Sequence, residues 1–350
     1  MTMKVLRRIE QAATTFLEDL MMDEMTSLQT IRRSSSALEF DSESQVLSHG
    51  GNMRTIRLNS QGARKYTGIW LVLQTAHQLL LEDKSITQRE LYYLHPFFES
   101  QKEADESILD TGGFLGVPRE CLNIVGGVKG CFTGRMSIQV DHYYENGQWV
   151  DCAKDGPSGR PITRDILRLH HDQIDARFIL VIEKDGIMSA EDLFFDAMPC
   201  ILVTGKGFPD LATRCFVKKL SDFLQVPVLG LCDCNSFGLS ILLTYKFGSA
   251  RMPLDSIHYA VDIQWLGLRP SQLEALELPN VVKKKCTNQD KRRMKSLMLH
   301  PFVQMQPQYR HEIDLWLADP YKVELEALHT KGFGFLGQFV QDSILHVDYI

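Results

Sequence analysis

Cys200-Ile201-Leu202-Val203-Thr204-Gly205-Lys206-Gly207-Phe208-Pro209-Asp210 reads as a buried strand that ends in a tight glycine turn. Two further apolar runs repeat the pattern, Phe178 to Ile182 and Val226 to Leu231. Short apolar runs alternating with helices are what a parallel sheet covered on both faces requires, so the chain from residue 176 to 350 reads as α/β. In such sheets ligands bind beyond the carboxyl ends of the strands. The first run leads into Glu183, the second into Gly205-Lys206-Gly207 and the third into Asp233-Cys234-Asn235. Hard oxygen donors converging from neighbouring strand ends suit Mg²⁺, which uses one or two carboxylates and keeps several waters. Taken alone, each acid reads first as the cap of the helix that follows it, where a negative charge meets the positive end of the helix dipole.

Upstream, residues 61–145 follow a different pattern: helix, turn, helix, helix, hairpin. The stretch from Ile69-Trp70-Leu71-Val72-Leu73 through Leu81 predicts a helix buried on most faces. Thr87 and Glu90 make a T-x-x-E capping box that starts a second helix at Thr87 and sets Tyr92 and Tyr93 in its first two turns. A third helix runs from about Gln101 toward Leu115, weakened at Gly112-Gly113 by roughly 1 kcal/mol per glycine. Leu122 to Val125 and Cys131 to Val140, joined through residues 126–130, read as a β-hairpin. Three helices and a hairpin predict a winged-helix module.

A Tyr-Tyr pair is ordinarily half-buried packing. Here Arg89 stands four residues before Tyr93, so the two share a helix face, while Tyr92 points roughly 100° away. A phenol of pKa about 10 stays protonated at neutral pH, and a neighbouring guanidinium that stabilises phenolate and grips phosphate is chemically useful. Tyr93 is therefore the better candidate nucleophile.

The rest of the chain is less specific. Residues 4–31 read as an amphipathic helix and 32–53 as a flexible connector, so residues 1–60 form a separate leading segment. Residues 141–175 are polar and turn-rich; 146–175 is assigned as an interdomain linker, and its His170-His171 pair as ordinary linker residues. The eight cysteines lack paired CxxC spacings, which suits reduced core thiols in the cytosol or nucleus. No apolar run approaches the roughly 20 residues that span a bilayer, and no signal-type segment follows the amino terminus, so no membrane role is expected. A net charge of −6 argues against non-specific coating of nucleic acid and makes any DNA contact local. The cluster Lys283-Lys284-Lys285, Lys291-Arg292-Arg293 and Lys295 reads equally as a nuclear-import signal or as a solvated helix face.

The motifs together resemble the A-subunit family of topoisomerase VI, most of all its eukaryotic branch, the transesterases that make meiotic DNA double-strand breaks. Gln88-Arg89-Glu90-Leu91-Tyr92-Tyr93 resembles the family's active-site helix, whose second tyrosine is the nucleophile. Ile182-Glu183-Lys184 resembles the first acidic motif of its Toprim metal domain. Residues 204–214, ending in Thr213-Arg214, resemble its GKG-aromatic-PD-x-x-TR signature, and Thr244 to Ser249 its TYKFGS segment. The similarity runs from about residue 66 to the carboxyl terminus, apart from residues 141–175. One departure stands out: where the family has D-x-D-P-x-G, this chain has Asp233-Cys234-Asn235-Ser236-Phe237-Gly238. Asn235 still offers a carbonyl oxygen but no charge, so weaker metal binding is expected.

The resemblance implies a winged-helix (CAP-like) domain followed by a Rossmann-like Toprim domain. It implies Tyr93 as nucleophile with Arg89 beside it, Mg²⁺ on Glu183, Asp233 and Asn235, and double-stranded DNA met by Lys206 and Arg214. One tyrosine per chain means two copies for two strands, as a homodimer or with a paralogue, one protomer's tyrosine meeting the other's metal domain. No Walker-type sequence occurs, so ATP use implies a separate B-type subunit with a GHKL ATPase fold. Such a protein acts in the nucleus. The rival readings are a non-catalytic DNA-binding or assembly subunit, and the DNA-cleaving subunit of a general type IIB topoisomerase.

Overall fold

The computed structural model describes residues 2–33, 38–41, 46–49, 51–139, 149–156, 158–163, 174–184, 198–249 and 251–350. His170-His171 and most of the 146–175 segment lie outside these residues. The chain forms two compact units, Met1–Gly127 with Gly248–His258, and Val128–Phe247 with Tyr259–Ile350.

The first unit begins with helix α1 (Thr2–Met21), which buries Val5, Leu6 and Ile9. The helix stops about ten residues before the end that its apolar spacing predicts. From Ser27 the pattern turns to period two, and strand β1 (Ser27–Ile31) buries Leu28 and Thr30 on one face. Strands β2 (Leu38–Asp41) and β3 (Val46–His49) pair with each other, and β4 (Met53–Arg57) returns antiparallel to β1. The predicted connector thus carries strands where it is described. Helix α2 (Ala63–Leu81) supplies the centre of the core through Ile69, Val72, Leu73 and Ala76, as its apolar run predicts. Strand β5 (Ile86–Thr87) leads into α3 (Gln88–Leu94), and α4 (Gln101–Leu115) follows, ending at Gly116 in the left-handed conformation.

Gly112-Gly113 does not break α4. Gly113 is needed for close packing: a Cβ there would stand 2.6 Å from the Thr30 hydroxyl on β1. Asp110 on α4 is buried with Arg33 at 2.6 Å and Arg54 also on its carboxylate, while Glu106 pairs with Arg33 and with Arg251 at 2.5 Å. These ion pairs tie the β1 and β4 ends and the 248–258 segment to one helix.

The predicted hairpin does not form. Strand β6 (Ile124–Val125) pairs parallel with β5, and β7 (Cys131–Gly134) joins the sheet of the second unit, antiparallel to strand β12 (Cys200–Thr204). All four β7 residues are buried, an environment that an exposed wing cannot offer and a sheet covered on both faces does. Gly130 serves close approach and not a hairpin turn, because a Cβ there would lie 2.0 Å from the Thr213 hydroxyl. Strand β8 (Ser137–Gln139), the rest of the predicted hairpin arm, pairs instead with β9 (Trp149–Asp151).

The second unit is built on a six-stranded sheet. In the order of the sheet its strands are β10 (Arg160–Pro161), β7, β12, β11 (Phe178–Ile182), β13 (Val228–Leu231) and β14 (Ile263–Gly267). The four strands from β12 to β14 are parallel, and β7 and β10 finish one edge antiparallel. Every residue of β11, β12 and β13 is buried, as their unbroken apolar runs predict. The chain moves from β11 to β12 on one side, then to β13 on the other, so the topological switch point falls at the carboxyl end of β11. Helices α5 (Leu211–Leu224) and α6 (Ser236–Phe247) follow β12 and β13. Beyond β14, strands β15 (Lys284–Lys285) and β16 (Tyr321–Lys322) form a short ribbon, with helix Asn288–Met298 between them.

Candidate active site

The candidate residues fall into two groups, one in each unit. In the first, the predicted capping box is present. The Glu90 amide donates to the Thr87 hydroxyl at 3.1 Å, and the Thr87 amide donates to the Glu90 carboxylate at 2.6 Å. The box fixes the start of α3, Leu91 anchors the helix in the core, and Tyr92 packs half-buried against that core. Tyr93 is 64% exposed. The Arg89 guanidinium donates to the Tyr93 hydroxyl at 3.4 Å and lies 5.8 Å from the centre of its ring. The i, i+4 relation read from the sequence therefore brings cation and phenol together on the solvent side of a capped helix.

In the second unit, Glu183 leaves the end of β11 and Asp233 lies just past β13, at the switch point. The Asp233 amide donates to Glu183 Oε2 at 2.9 Å, and the Leu325 amide donates to Asp233 Oδ1 at 2.8 Å. Burial pushes the Glu183 carboxyl up to about 7, with the Asp233 charge adding to the effect. Burial likewise holds the Asp233 carboxyl above its usual range. Two partly buried carboxylates whose charges oppose each other are an arrangement that a cation relieves. Their hard oxygens suit Mg²⁺, so the pair fits the metal expected from the sequence. Among the described residues, no group of three or more His, Cys, Asp or Glu side chains is arranged to hold a metal ion.

Asn235 does not complete the set. Its Oδ1 accepts from the Phe237 amide at 2.8 Å and the Gly238 amide at 2.9 Å, so its two lone pairs cap α6. Toward Asp233 Oδ2 it turns its amide NH₂, at 3.5 Å. In this arrangement Asn235 acts as a helix cap beside the carboxylate pair. Gly238 follows from the same crowding, since a Cβ there would lie 2.3 Å from the Asp233 carbonyl and 3.1 Å from Glu183 Oε2.

The glycine turn after β12 buttresses Glu183 from the other side. The Gly207 amide donates to the Glu183 carbonyl at 2.8 Å, and the Lys206 amide to the Thr204 hydroxyl at 3.1 Å. Lys206 takes the left-handed conformation, φ 51°, and its side chain is exposed. Asp210 is the amino-terminal cap of α5, accepting from the amide and hydroxyl of Thr213, both at 2.7 Å, and from the Lys129 amide at 2.9 Å. Gly205 is required by close approach of Tyr245, whose hydroxyl would stand 2.8 Å from a Cβ at that position. Two of the quoted motifs thus interlock. Arg214, expected on DNA, is 1% exposed in the folded chain.

Sequence reasoning missed three residues beside the acids. Lys184 Nζ lies 2.7 Å from Glu326, 3.2 Å from Asp233 and 3.6 Å from Glu324. Burial alone would lower its pKa, but hydrogen bonds and charge from Glu326 and Asp233 hold it well above the usual range. Glu324 and Glu326 are brought there by backbone hydrogen bonds between Cys234 and Val323, a pairing across 89 residues that no local pattern announces. Lys284, from the basic cluster, pairs with Glu324 at 2.8 Å, so part of that cluster lies at the rim of the acidic site.

A sheet with acids at its switch point, and family matches in both units, define a Toprim-bearing protein of the type IIB topoisomerase class. The model for the Toprim domain of the topoisomerase 6 A-subunit/Spo11 family matches residues 178–344, and that described as "Type IIB DNA topoisomerase" matches residues 64–124. The meiotic recombination protein SPO11-2 of Oryza sativa subsp. japonica is 36% identical over 323 residues, covering 89% of this chain and 82% of that protein. The meiotic recombination protein SPO11 of Mus musculus is 31% identical over 343 residues, covering 96% and 85%. The DNA topoisomerase 6 A-subunit of Arabidopsis thaliana is 37% identical over 279 residues, covering 79% of this chain and 64% of that protein. The chain belongs to the topoisomerase 6 A-subunit/Spo11 family.

Proposed function

We propose that this protein is a DNA transesterase that makes double-strand breaks, with Tyr93 as nucleophile, and that it initiates meiotic recombination. The observation that carries the proposal is the exposed Tyr93 phenol held beside Arg89 on a capped helix. The Tyr93 oxygen attacks a backbone phosphorus; the new O–P bond replaces the bond from phosphorus to the 3′ oxygen, leaving a 5′-phosphotyrosyl link. The phenolic proton passes to solvent, the 3′ oxygen takes one up, and one phosphodiester is exchanged for another. Arg89 stabilises the charge that develops on the phosphate oxygens. Glu183 and Asp233 would hold Mg²⁺, whose charge offsets that on the phosphate. Exposed Lys206 supplies a further cation for the DNA backbone.

The first unit then serves as a DNA-binding module of winged-helix (CAP-like) type, in which helices 63–81 and 101–115 form the core and helix 88–94 presents Arg89 and Tyr93 to the DNA. Its family match ends at residue 124. Cutting both strands takes two copies, or one with a paralogue, so that one chain's tyrosine works with the acids of the other. The ATPase is a separate B-type subunit of GHKL fold, and the working compartment is the nucleus. Names of the similar proteins from Oryza and Mus support the meiotic role.

Covalent capture tests this reading: the chain and its B-type partner are incubated with Mg²⁺ and labelled duplex, denatured, digested and analysed by mass spectrometry. A nucleotide on Tyr93 supports the mechanism; an adduct on Tyr92 reassigns the nucleophile. A second reading, a non-catalytic assembly subunit, is favoured by the use of the Asn235 oxygen as a helix cap, and absence of any adduct from a verified complex would select it. The likeness to an Arabidopsis topoisomerase supports a third, the DNA-cleaving subunit of a general type IIB enzyme, which requires relaxation of supercoiled DNA with the B partner.

A further inference from the structure

Lys184 stands where a cation is wanted. Its ammonium is 3.2 Å from Asp233 Oδ2 and 2.7 Å from Glu326, and its side chain is 29% exposed. The residue before it is Glu183, so the first acid of the metal pair and the charge that neutralises the second come from adjacent positions on one strand end. A divalent cation that uses the Asp233 carboxylate meets this ammonium at the same oxygen, and like charges a few ångströms apart repel. Metal and ammonium therefore compete for Asp233. The structure also provides a place for the displaced amine. Glu326 sits on the turn Leu325–Lys331, whose Leu325 amide holds Asp233 Oδ1, and Glu324 is kept at the rim by Lys284.

We infer that Lys184 is a positioning residue that sets the divalent-cation affinity of the site by competing for Asp233, with Glu326 as the anchor that draws its ammonium aside when the cation enters. This rests on the reading of Glu183 and Asp233 as the metal pair. Lys184 keeps the acids in place without metal, and the cation must supply more stabilisation than the lysine does.

The test is a count of bound Mn²⁺ by its EPR signal in the full chain carrying Tyr93→Phe, so that binding is read without turnover. Lys184→Met should tighten Mn²⁺ binding at least about tenfold, because removing a unit charge this close is worth that much even at an effective dielectric near 20. Lys184→Gln, which stays polar, should tighten it in the same direction and guards against local collapse around the methionine. Glu326→Gln should weaken binding, and more than half of that loss should vanish when combined with Lys184→Met. An affinity unchanged or lowered in both Lys184 variants, with binding abolished by Glu183→Gln, overturns the inference and leaves the metal pair standing. Binding undiminished by Glu183→Gln overturns the pair, and the inference with it.

Discussion

The Asp233 backbone amide donates to the Glu183 carboxylate across 2.9 Å, which holds the two acids of neighbouring strand ends in each other's field. The Glu183 carboxyl, pushed up to about 7 chiefly by burial, keeps its proton in the folded chain at pH values where the unfolded chain has lost it. Its contribution to stability is therefore complete below about pH 4.5 and is lost as pH rises through 7. In metal-free buffer, unfolding free energies from urea melts at pH 5.5 and pH 8 should differ by up to about 2 kcal/mol from this group, and Glu183→Gln should remove that difference. Added Mg²⁺ should stabilise the wild type more at pH 8 than at pH 5.5.

Asn235→Asp should keep the cap on α6, since aspartate caps as well as asparagine, and add a negative charge beside Asp233. The variant should bind Mn²⁺ more tightly than the wild type and melt lower in metal-free buffer at pH 8. Paired thermal melts with and without the ion read both effects.

At the tyrosine pair the two rings should behave differently. Tyr93→Phe should abolish the covalent DNA adduct and leave the melting temperature within a degree or two, because the ring is exposed. Tyr92→Phe should preserve the adduct. Arg89→Ala should slow adduct formation by roughly 10²-fold, the scale for losing one group that stabilises transition-state charge.

Gly238→Ala should fail structurally before it fails chemically. The added methyl would need to move the Asp233 carbonyl or the start of α6, at a cost of about 1–3 kcal/mol, with Mn²⁺ affinity falling as well. Urea unfolding combined with EPR titration separates the two losses.

Asp110→Ala should be among the more damaging changes in the first unit. Among the described residues it leaves Arg33, buried beside α4, with Glu106 as its acidic partner, and takes from Arg54 its partner on that helix. A cost of about 3–5 kcal/mol is expected for breaking a buried ion pair on one side, read as a lowered urea midpoint.

What was legible in the chain follows the reach of each signal. The parallel strands at 178–182, 200–204 and 228–231 declared themselves because burial on both faces leaves an unbroken apolar run. Thr87 and Glu90 did so because a capping box is a bond between residues three apart. Strand β7 has four residues and no alternation, and its partner β12 lies about seventy residues on, so local reading joined it to its neighbour in sequence. Glu324 and Glu326 belong to the acidic site through a pairing with Cys234 that only the folded chain creates. That Arg214 is buried was not legible, because sequence cannot tell an inward arginine from an outward one.

Strand β7 also bears on how the protein can be divided. It covers the side of β12 that would otherwise present a row of unpaired amides and carbonyls, and β10 covers β7 in turn. A fragment starting near residue 176 would expose that row and recruit a second copy of itself edge to edge, whereas one starting at residue 128 carries its own protection. Insoluble preparations of the shorter fragment would thus reflect a sheet deprived of its flank, and the boundary between the halves of the chain lies before Lys129, upstream of the polar stretch that follows residue 140.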